Sequence, residues 1–218
     1  MIKHHPDDDL LLAFAAGRSE AGPALLLAVH LESCPDCRAR LHALQAVGGA
    51  LLEAEEPQAL EPEALARTLA AIDAPAAPVR PPATPSWPAP ALPDGAPWPR
   101  ALRGCAISRW RWMAPGMHFA RVRLPYDPDA SLYLLQIAPG RSLARHTHTN
   151  LELTQVLCGA FDDGRDRFAA GDFDAVEGDV HHEPTVAPGG ACVCLAYVDG
   201  RLVFDGWLAR ALGSALGM

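Results

Sequence analysis

Residues 145–152 read Arg145-His146-Thr147-His148-Thr149-Asn150-Leu151-Glu152, and the pair His181-His182 follows later in the chain. Because side chains alternate across a β-strand, two histidines separated by one residue project from the same face. Three imidazoles and one carboxylate form a donor set that suits zinc, iron or manganese. This stretch therefore predicts a metal site on a β-scaffold, with one histidine of the later pair completing the set.

The spacing around these residues extends the pattern. It is Gly140-x5-His146-x-His148-x3-Glu152-x6-Gly159, followed by Gly171-x5-Glu177-x-Asp179-x2-His182. The first half resembles the first motif of the cupin family at every position, whereas the second half carries Glu177 and Asp179 in place of the usual proline and glycine. Counting from Gly171 selects His182, and counting from Gly178 selects His181. Since neighbouring strand residues face opposite sides, only one should bind, and we predict His182.

From about residue 101 onward, the chain reads as short apolar runs separated by Gly, Pro and Asp, which is typical of strands and turns. The candidate strands are Phe119–Leu124, Leu132–Ile137, Leu151–Leu157, Phe173–Val176, Cys192–Val198 and Leu202–Phe204. Many short strands of this kind favour a small β-barrel or jelly roll. We predict an all-β cupin domain over residues 101–218, in which a last helix from Trp207 to Leu216 covers one edge.

Residues 1–73 have helical periodicity and predict an all-α domain of about four helices. Asp7 to Asp9 would cap the first helix, which Gly17 ends, and Ser19 would cap the second. Pro35 would open a third helix and Pro62 a fourth, since proline favours the first helical turn. Residues 74–100 are rich in proline and alanine and predict a semi-extended linker between the two domains.

A second candidate metal site lies in the helical region, in the pattern His30-x3-Cys34-x2-Cys37. The histidine would end one helix, and the cysteines would occupy the turn and the first turn of the next helix. Thiolates and imidazoles at such short spacing are typical of zinc, and His5 or His4 would supply the fourth ligand. The alternative is a redox dithiol, but the chain lacks the βαβ context of thioredoxin-like proteins.

The formal net charge of the 218-residue chain is −8, and the excess of acids is concentrated in residues 1–73. An acidic segment argues against direct nucleic-acid binding and suits a basic partner surface. No apolar run approaches the ~20 residues of a membrane span, and aspartates precede the run Leu10–Ala16, where a secretory signal would be basic. We therefore expect a cytoplasmic protein without membrane contact, whose cysteines are reduced or metal-bound.

Together, an acidic helical domain with this His-x3-Cys-x2-Cys motif and a cupin domain resemble the ChrR-type zinc-binding anti-sigma factors. The resemblance covers roughly residues 3–72 and 101–204, and includes Arg38 and Arg40 beside the cysteines. It implies two zinc ions per chain. The N-terminal ligands would be His5, His30, Cys34 and Cys37, and the cupin ligands would be His146, His148, Glu152 and His182.

The same resemblance implies a function. Such proteins restrain an extracytoplasmic-function sigma factor in the cytoplasm and release it under oxidative stress, for which singlet oxygen and peroxide-like molecules are the candidate signals. A predicted apolar stripe on the fourth helix, Leu65, Leu69 and Ile72, would either dock on this partner or pack against the other three helices.

Two other functions fit the residues. The four cupin ligands also serve metal-dependent dioxygenases and isomerases, and iron or manganese in this site would favour such an enzyme. The cupin region offers no obvious second acid/base pair, so we expect a regulator rather than an enzyme. A zinc-stabilised module that acts on a different partner is the remaining alternative.

Overall fold

The structure is a computed structural model that describes residues 1–74, 91–178 and 180–205. Four α-helices come first, and they are α1 (Asp8–Ala15), α2 (Ala21–Ser33), α3 (Pro35–Ala54) and α4 (Ala64–Asp73). All strands of the described chain follow them. The predicted class, an all-α N-terminal part followed by an all-β part, is confirmed. Among the described helices, none combines the length and apolarity needed to cross a bilayer.

The β-part contains twelve strands in the described residues, six more than the sequence predicts. They are β1 (Ala106–Ile107), β2 (Arg111–Ala114), β3 (Met117–Arg123), β4 (Leu132–Ile137), β5 (His146–His148), β6 (Leu151–Cys158), β7 (Ala160–Asp162), β8 (Arg167–Ala169), β9 (Phe173–Glu177), β10 (Thr185–Val186), β11 (Cys192–Val198) and β12 (Leu202–Phe204). The strands that the sequence misses have two to four residues each, too few for an alternating pattern to stand out.

The strands form three antiparallel groups. The largest sheet has the order β1-β3-β4-β11-β6-β9, with β2 paired to β3. Smaller sheets join β10-β7-β8 and β12-β5, so the predicted histidine strand pairs with the last described strand. An isolated bridge between His146 and His182 ties β5 to the segment after β9. This topology brings the beginning and the end of the cupin motif together.

The helix ends follow the local sequence with two exceptions, one of which is that α4 begins at Ala64 with Glu63 at its N-cap rather than at Pro62. The Asp7 carboxylate accepts a hydrogen bond from the backbone N–H of Leu10 at 2.8 Å, as expected of an N-cap. The predicted Ser19 cap of the second helix is wrong, because α2 begins at Ala21 with Glu20 at its N-cap and without a side-chain cap bond. The Glu20 carboxylate instead accepts from the Tyr197 hydroxyl of β11, at 3.0 Å.

Helix α2 is buried on nearly all sides and lies against β6 and β11 of the large sheet. Its leucines share one continuous apolar core with strand residues such as Leu153 and Leu195. At Gly22, a Cβ atom would stand 2.2 Å from a ring carbon of Tyr197, so only glycine permits this approach. The helical and β-parts are therefore packed together rather than separated.

The chain between the two parts re-enters the described structure at residue 91. Residues 75–90 of the predicted linker, and the predicted helix from Trp207 to Leu216, lie outside the described residues. The Glu32 carboxylate of α2 accepts from the backbone N–H groups of Arg100 and Ala101, at 2.8 and 2.5 Å. The end of the linker region is thus fastened to the helical part before the strands begin.

Candidate metal centres

The first cluster lies where the N-terminus crosses the junction of α2 and α3. His30 sits in the last turn of α2, Cys34 caps α3, and Cys37 lies in the first turn of α3, next to Pro35. His5 reaches them from the extended segment before α1. These four side chains place one ligand atom each within 4.8 Å of one another. The structure thus brings together all four residues that the resemblance implies for the N-terminal site.

The atoms of this cluster are arranged as tetrahedral coordination requires. His5 Nδ1 lies 3.3 Å from both Cys34 Sγ and Cys37 Sγ. Bonds of about 2.3 Å to sulfur and 2.0–2.1 Å to nitrogen would produce ligand separations of this size. His30 Nε2 is buried and has no hydrogen-bond partner among the described residues. Its other ring nitrogen, Nδ1, lies 3.0 Å from Gln155 Oε1 of β6.

The electrostatics of the first cluster depend on a cation. Burial and the neighbouring Cys34 together raise the pKa of the Cys37 thiol to about 12, so the thiol is protonated near neutral pH without a metal. Burial also lowers the pKa of His30, which keeps this imidazole neutral and its lone pair available. A divalent cation would convert the thiols to thiolates, because metal ligands must be deprotonated.

The segment that carries His5 is held by the β-part. Asp172, just before β9, accepts from the backbone N–H groups of Lys3 and His4, at 2.6 and 3.1 Å. Burial alone would raise the pKa of Asp172, but hydrogen bonds from the N–H groups of Ala169, Lys3 and His4 hold it below its usual range. In addition, the Phe173 N–H donates to the carbonyl of His4 at 3.1 Å. His4 itself stacks on Phe168 and is outside the cluster.

The second cluster lies inside the β-part. His146 and His148 come from β5, Glu152 comes from β6, and His182 comes from the segment after β9. All four are buried, and one ligand atom of each lies within 4.8 Å of the others. The structure therefore assembles the second predicted ligand set. His181 is exposed and its Nδ1 lies 3.2 Å from the Asp205 carboxylate, so it is not part of this cluster.

Three ring nitrogens converge on the Glu152 carboxylate. Its Oε2 lies 2.5 Å from His148 Nε2, 3.5 Å from His182 Nε2 and 3.9 Å from His146 Nε2. Burial alone would raise the pKa of Glu152, but the three neighbouring imidazoles hold it well below its usual range. The Glu152 carboxylate is therefore ionised near neutral pH and can act as an anionic ligand.

The tautomer of His146 is fixed by its surroundings. His146 Nδ1 donates to the Ala144 carbonyl at 2.8 Å, which leaves a lone pair on Nε2. That Nε2 lies 3.1 Å from His182 Nε2, and both nitrogens are buried. Behind His182, Nδ1 lies 3.7 Å from the buried Asp163 carboxylate, and Asp163 is paired with Arg165 at 2.7 Å. Such carboxylates commonly orient a metal-binding histidine.

The donor atoms of both clusters fit a bound metal ion. His30 Nε2 is buried without a hydrogen-bond partner among the described residues, and in the second cluster three buried ring nitrogens crowd one carboxylate oxygen. Unpaired buried polar atoms are costly, and a shared cation would satisfy them. Two thiolates and two imidazoles suit zinc, whereas three imidazoles and one carboxylate accommodate zinc, iron or manganese.

A small cavity of about 40 Å³ lies beside the second cluster. Apolar side chains of β4 and the motif segment line it, together with the ligands Glu152 and His182. Cys192 and Cys194 of β11 also face it, with their sulfur atoms 3.6 Å apart. The sequence signal for these two cysteines is their spacing, because residues two apart on a strand face the same side.

Comparison with known proteins agrees with this arrangement. Residues 100–199 match the family model described as the ChrR cupin-like domain. The anti-sigma-E factor ChrR of Cereibacter sphaeroides is 40% identical over 212 residues, which cover 96% of this chain and 95% of that protein. The solved structure of Rhodobacter sphaeroides SigE in complex with the anti-sigma ChrR contains a chain that matches with a TM-score of 0.72 and 36% identity.

That match covers 91% of the present chain and all of the other chain, so it includes the helical part as well as the β-part. The β-part has the cupin fold predicted from the motif around Glu152. The curated relative extends over nearly the same length. This chain belongs to the ChrR family of anti-sigma factors.

Proposed function

We propose that the helical part of this chain binds and inactivates an extracytoplasmic-function sigma factor, and that the cupin part releases it in response to an oxidant. The observation that carries the proposal is an unburied apolar surface on the helices. None of the residues of α4 is buried, and its apolar residues Leu65, Leu69 and Ile72 are 68%, 52% and 71% exposed. The relative whose complex with SigE has been solved supplies the class of partner.

Helix α4 requires a partner for physical reasons. A ten-residue helix is marginal in water unless its apolar face is packed, because nucleation is costly. The second half of α3 also exposes apolar side chains, with Leu51 and Leu52 65% and 74% exposed. Of the two possibilities for the apolar stripe, packing against α1–α3 does not occur. Helix-in-groove docking on another protein is the remaining one.

The charge around this surface specifies the chemistry of the partner. From the last turn of α3 to the start of α4, the chain carries acids at Glu53, Glu55, Glu56, Glu61 and Glu63. A basic partner surface would be complementary, and complementary charge accelerates association. Sigma-factor surfaces that contact DNA and polymerase are expected to be basic. The covered partner would therefore be unable to engage polymerase. In this proposal the chain acts in the cytoplasm and does not itself contact DNA.

The cupin part would act as the sensor. Its cavity of about 40 Å³ is far smaller than the ~300–1,000 Å³ of sites that enclose organic substrates. It would still admit a molecule of a few atoms, such as oxygen or a small peroxide. This size favours the sensor over a dioxygenase or isomerase. In this proposal, residues 1–73 bind the sigma factor, residues 74–100 form the linker, and residues 101–218 sense the oxidant.

Zinc is the metal that we propose for both sites, with iron or manganese as alternatives for the cupin site. Bound zinc would supply a fixed positive centre that holds the four N-terminal ligands together and, in the cupin part, holds three imidazoles and one carboxylate around one point beside the cavity. Metal analysis of the purified chain tests this assignment. Two zinc ions per chain support the regulator, whereas iron or manganese in the cupin site supports the enzyme.

The sigma-binding surface can be tested by placing charges on α4. We expect the triple change Leu65→Asp, Leu69→Asp and Ile72→Asp to weaken sigma binding at least ~100-fold, because buried apolar anchors contribute most of an interface. The change Ala66→Asp with Ala70→Asp adds charge to the other face of α4 and is the matched control. Co-purification with the sigma factor encoded beside this chain is the measurement. No complex with the unaltered chain would refute the proposed function.

A further inference from the structure

Strand β6 separates the two clusters and contributes a side chain to the surroundings of each. Glu152 projects into the cupin cluster, and Gln155 projects from the opposite face toward α2, since residues three apart on a strand face opposite sides. The two positions are about 10 Å apart along the strand, from a rise of ~3.3 Å per residue. A small movement of β6 would therefore reach both clusters.

The bond between Gln155 and His30 is fully enclosed. Gln155 is 1% exposed and His30 is 0% exposed, and Oε1 lies 3.0 Å from Nδ1. The Gln155 amide nitrogen donates to the carbonyl of Val156 at 3.1 Å, which orients the amide oxygen toward His30. An oxygen can only accept, so Nδ1 of His30 carries the proton. The lone pair of Nε2 then points to His5, Cys34 and Cys37.

We propose that Gln155 is a positioning residue that couples the cupin metal site to the N-terminal metal site through β6. With the cupin ligands assembled, Glu152 holds β6 in the position that presents Gln155 to His30. When those ligands separate, β6 relaxes, the hydrogen bond is lost, and His30 no longer has a fixed tautomer and ring orientation. The N-terminal metal is then held less tightly. The inference rests on the proposed function only in taking both clusters as metal sites.

Coupling of this kind is reciprocal. If a metal in the cupin site raises the affinity of the N-terminal site by some factor, a metal in the N-terminal site raises the cupin affinity by the same factor. Supporting residues beside a metal ligand typically change affinity ~10–100-fold. The same range is expected here for loss of the Gln155 hydrogen bond. The reciprocity distinguishes coupling from simple local damage around His30.

The test uses the full-length, metal-stripped chain titrated with Co²⁺ and Zn²⁺. Thiolate-to-cobalt absorption reports only the N-terminal cluster, because the cupin cluster contains no cysteine ligand. We expect Gln155→Leu to lower the N-terminal affinity ~10–100-fold and Gln155→Glu, which keeps an acceptor for Nδ1, to restore it. Tyr197→Phe removes another bond between helix and sheet, to Glu20, and is the matched control.

The decisive comparison combines these changes with Glu152→Ala. In the unaltered chain, Glu152→Ala should lower the N-terminal affinity, and in the Gln155→Leu background it should have no further effect. Equal N-terminal affinities for Gln155→Leu and the unaltered chain would overturn the inference, as would an undiminished Glu152→Ala effect in the Gln155→Leu background. Sigma binding is measured separately by co-purification. Its absence would refute the proposed function and leave the metal affinities to decide the coupling.

Discussion

The two clusters contain four ligands each but differ in their donors and in their access to small molecules. The N-terminal cluster has two sulfurs and two ring nitrogens, contributed by a helix end, a helix start and the chain terminus. The cupin cluster has three ring nitrogens and one carboxylate on a β-framework, with a cavity beside it. Two thiolates with two imidazoles form a closed tetrahedral site, whereas the harder set leaves room for further ligands.

This difference indicates different uses for similar chemistry. Without its metal, the N-terminal cluster would leave a terminal segment, a helix end and a helix start with little to hold them together, so a metal there would stabilise the fold. The cupin ligands sit on strands that are already paired, so a metal there would be replaceable. We therefore expect removal of the N-terminal metal to abolish sigma binding, and removal of the cupin metal to abolish the response to the oxidant.

The largest effect should come from Cys37→Ala. Loss of this buried thiol would reduce N-terminal metal affinity by more than the ~100-fold typical of a supporting residue, and sigma binding would be lost with it. Zinc content should fall from two to one per chain, measured by elemental analysis beside a co-purification assay. Cys105→Ala, which changes a buried cysteine outside both clusters, is the control. Full sigma binding by Cys37→Ala would mean that the cluster is not structural.

The next largest effect should come from Glu152→Ala. Removing the only carboxylate of the cupin cluster should release that metal, while saturating zinc keeps the weakened N-terminal site filled and sigma bound in the unstressed state. Release of sigma by singlet oxygen or peroxide should be lost, as measured by sigma-dependent transcription. Glu183→Ala changes an exposed carboxylate next to His182 and should leave the response intact. A normal response from Glu152→Ala would remove the distinction drawn between the two clusters.

The pH dependence of metal binding should also separate the clusters. Without metal, Cys37 has a pKa of about 12 and must release a proton on binding, so this residue alone makes N-terminal affinity rise ~10-fold per pH unit through neutral pH. The Glu152 carboxyl, whose pKa lies well below its usual range, is already ionised and releases none. Chelator competition between pH 6 and 8 measures both slopes. Parallel slopes would contradict the protonation states assigned here.

The smallest effect should come from His181→Ala. Because this ring is exposed and faces Asp205, its loss should leave metal content unchanged and shift stability within ~0.5 kcal/mol. His182→Ala should release the cupin metal, because His182 is buried beside Glu152 and His146. Elemental analysis and thermal unfolding of the two variants provide the comparison. Equal metal loss from both would reopen the choice between neighbouring histidines.

Much of the fold could be predicted from patterns that span several residues. Strands β4, β11 and β12 have the predicted bounds, since each is bordered by turn residues. Strand β5 is absent from the predicted apolar runs because three residues cannot display periodicity, and only the spacing of its two histidines predicted a strand there. The Ser19 cap failed because Glu20 occupies the N-cap of α2, and its carboxylate bonds to Tyr197 rather than to the helix N–H groups.

The contact between the two parts was not predicted, although a signal was present. Helix α2 carries leucines at three consecutive positions, Leu25, Leu26 and Leu27, and all three are buried. A helix that is apolar on all sides is enclosed by other elements. Gln155 was missed for a different reason. A single amide within a strand has no spacing that distinguishes it, and its meaning depends on a histidine 125 positions away.

The hydrogen bonds from Asp172 and Phe173 to residues 3 and 4 also set an order of events during synthesis. The beginning of the chain is held by residues that the ribosome adds 169 positions later. At ~5–20 residues per second, roughly 10–30 s pass between the emergence of these two segments. Until these residues emerge, His5 lacks its anchor, and His30 lacks Gln155, which is added 125 positions after it. A nascent chain would therefore acquire its finished N-terminal site only after Gln155 and Asp172 have been added, long after helices α1–α3 have emerged.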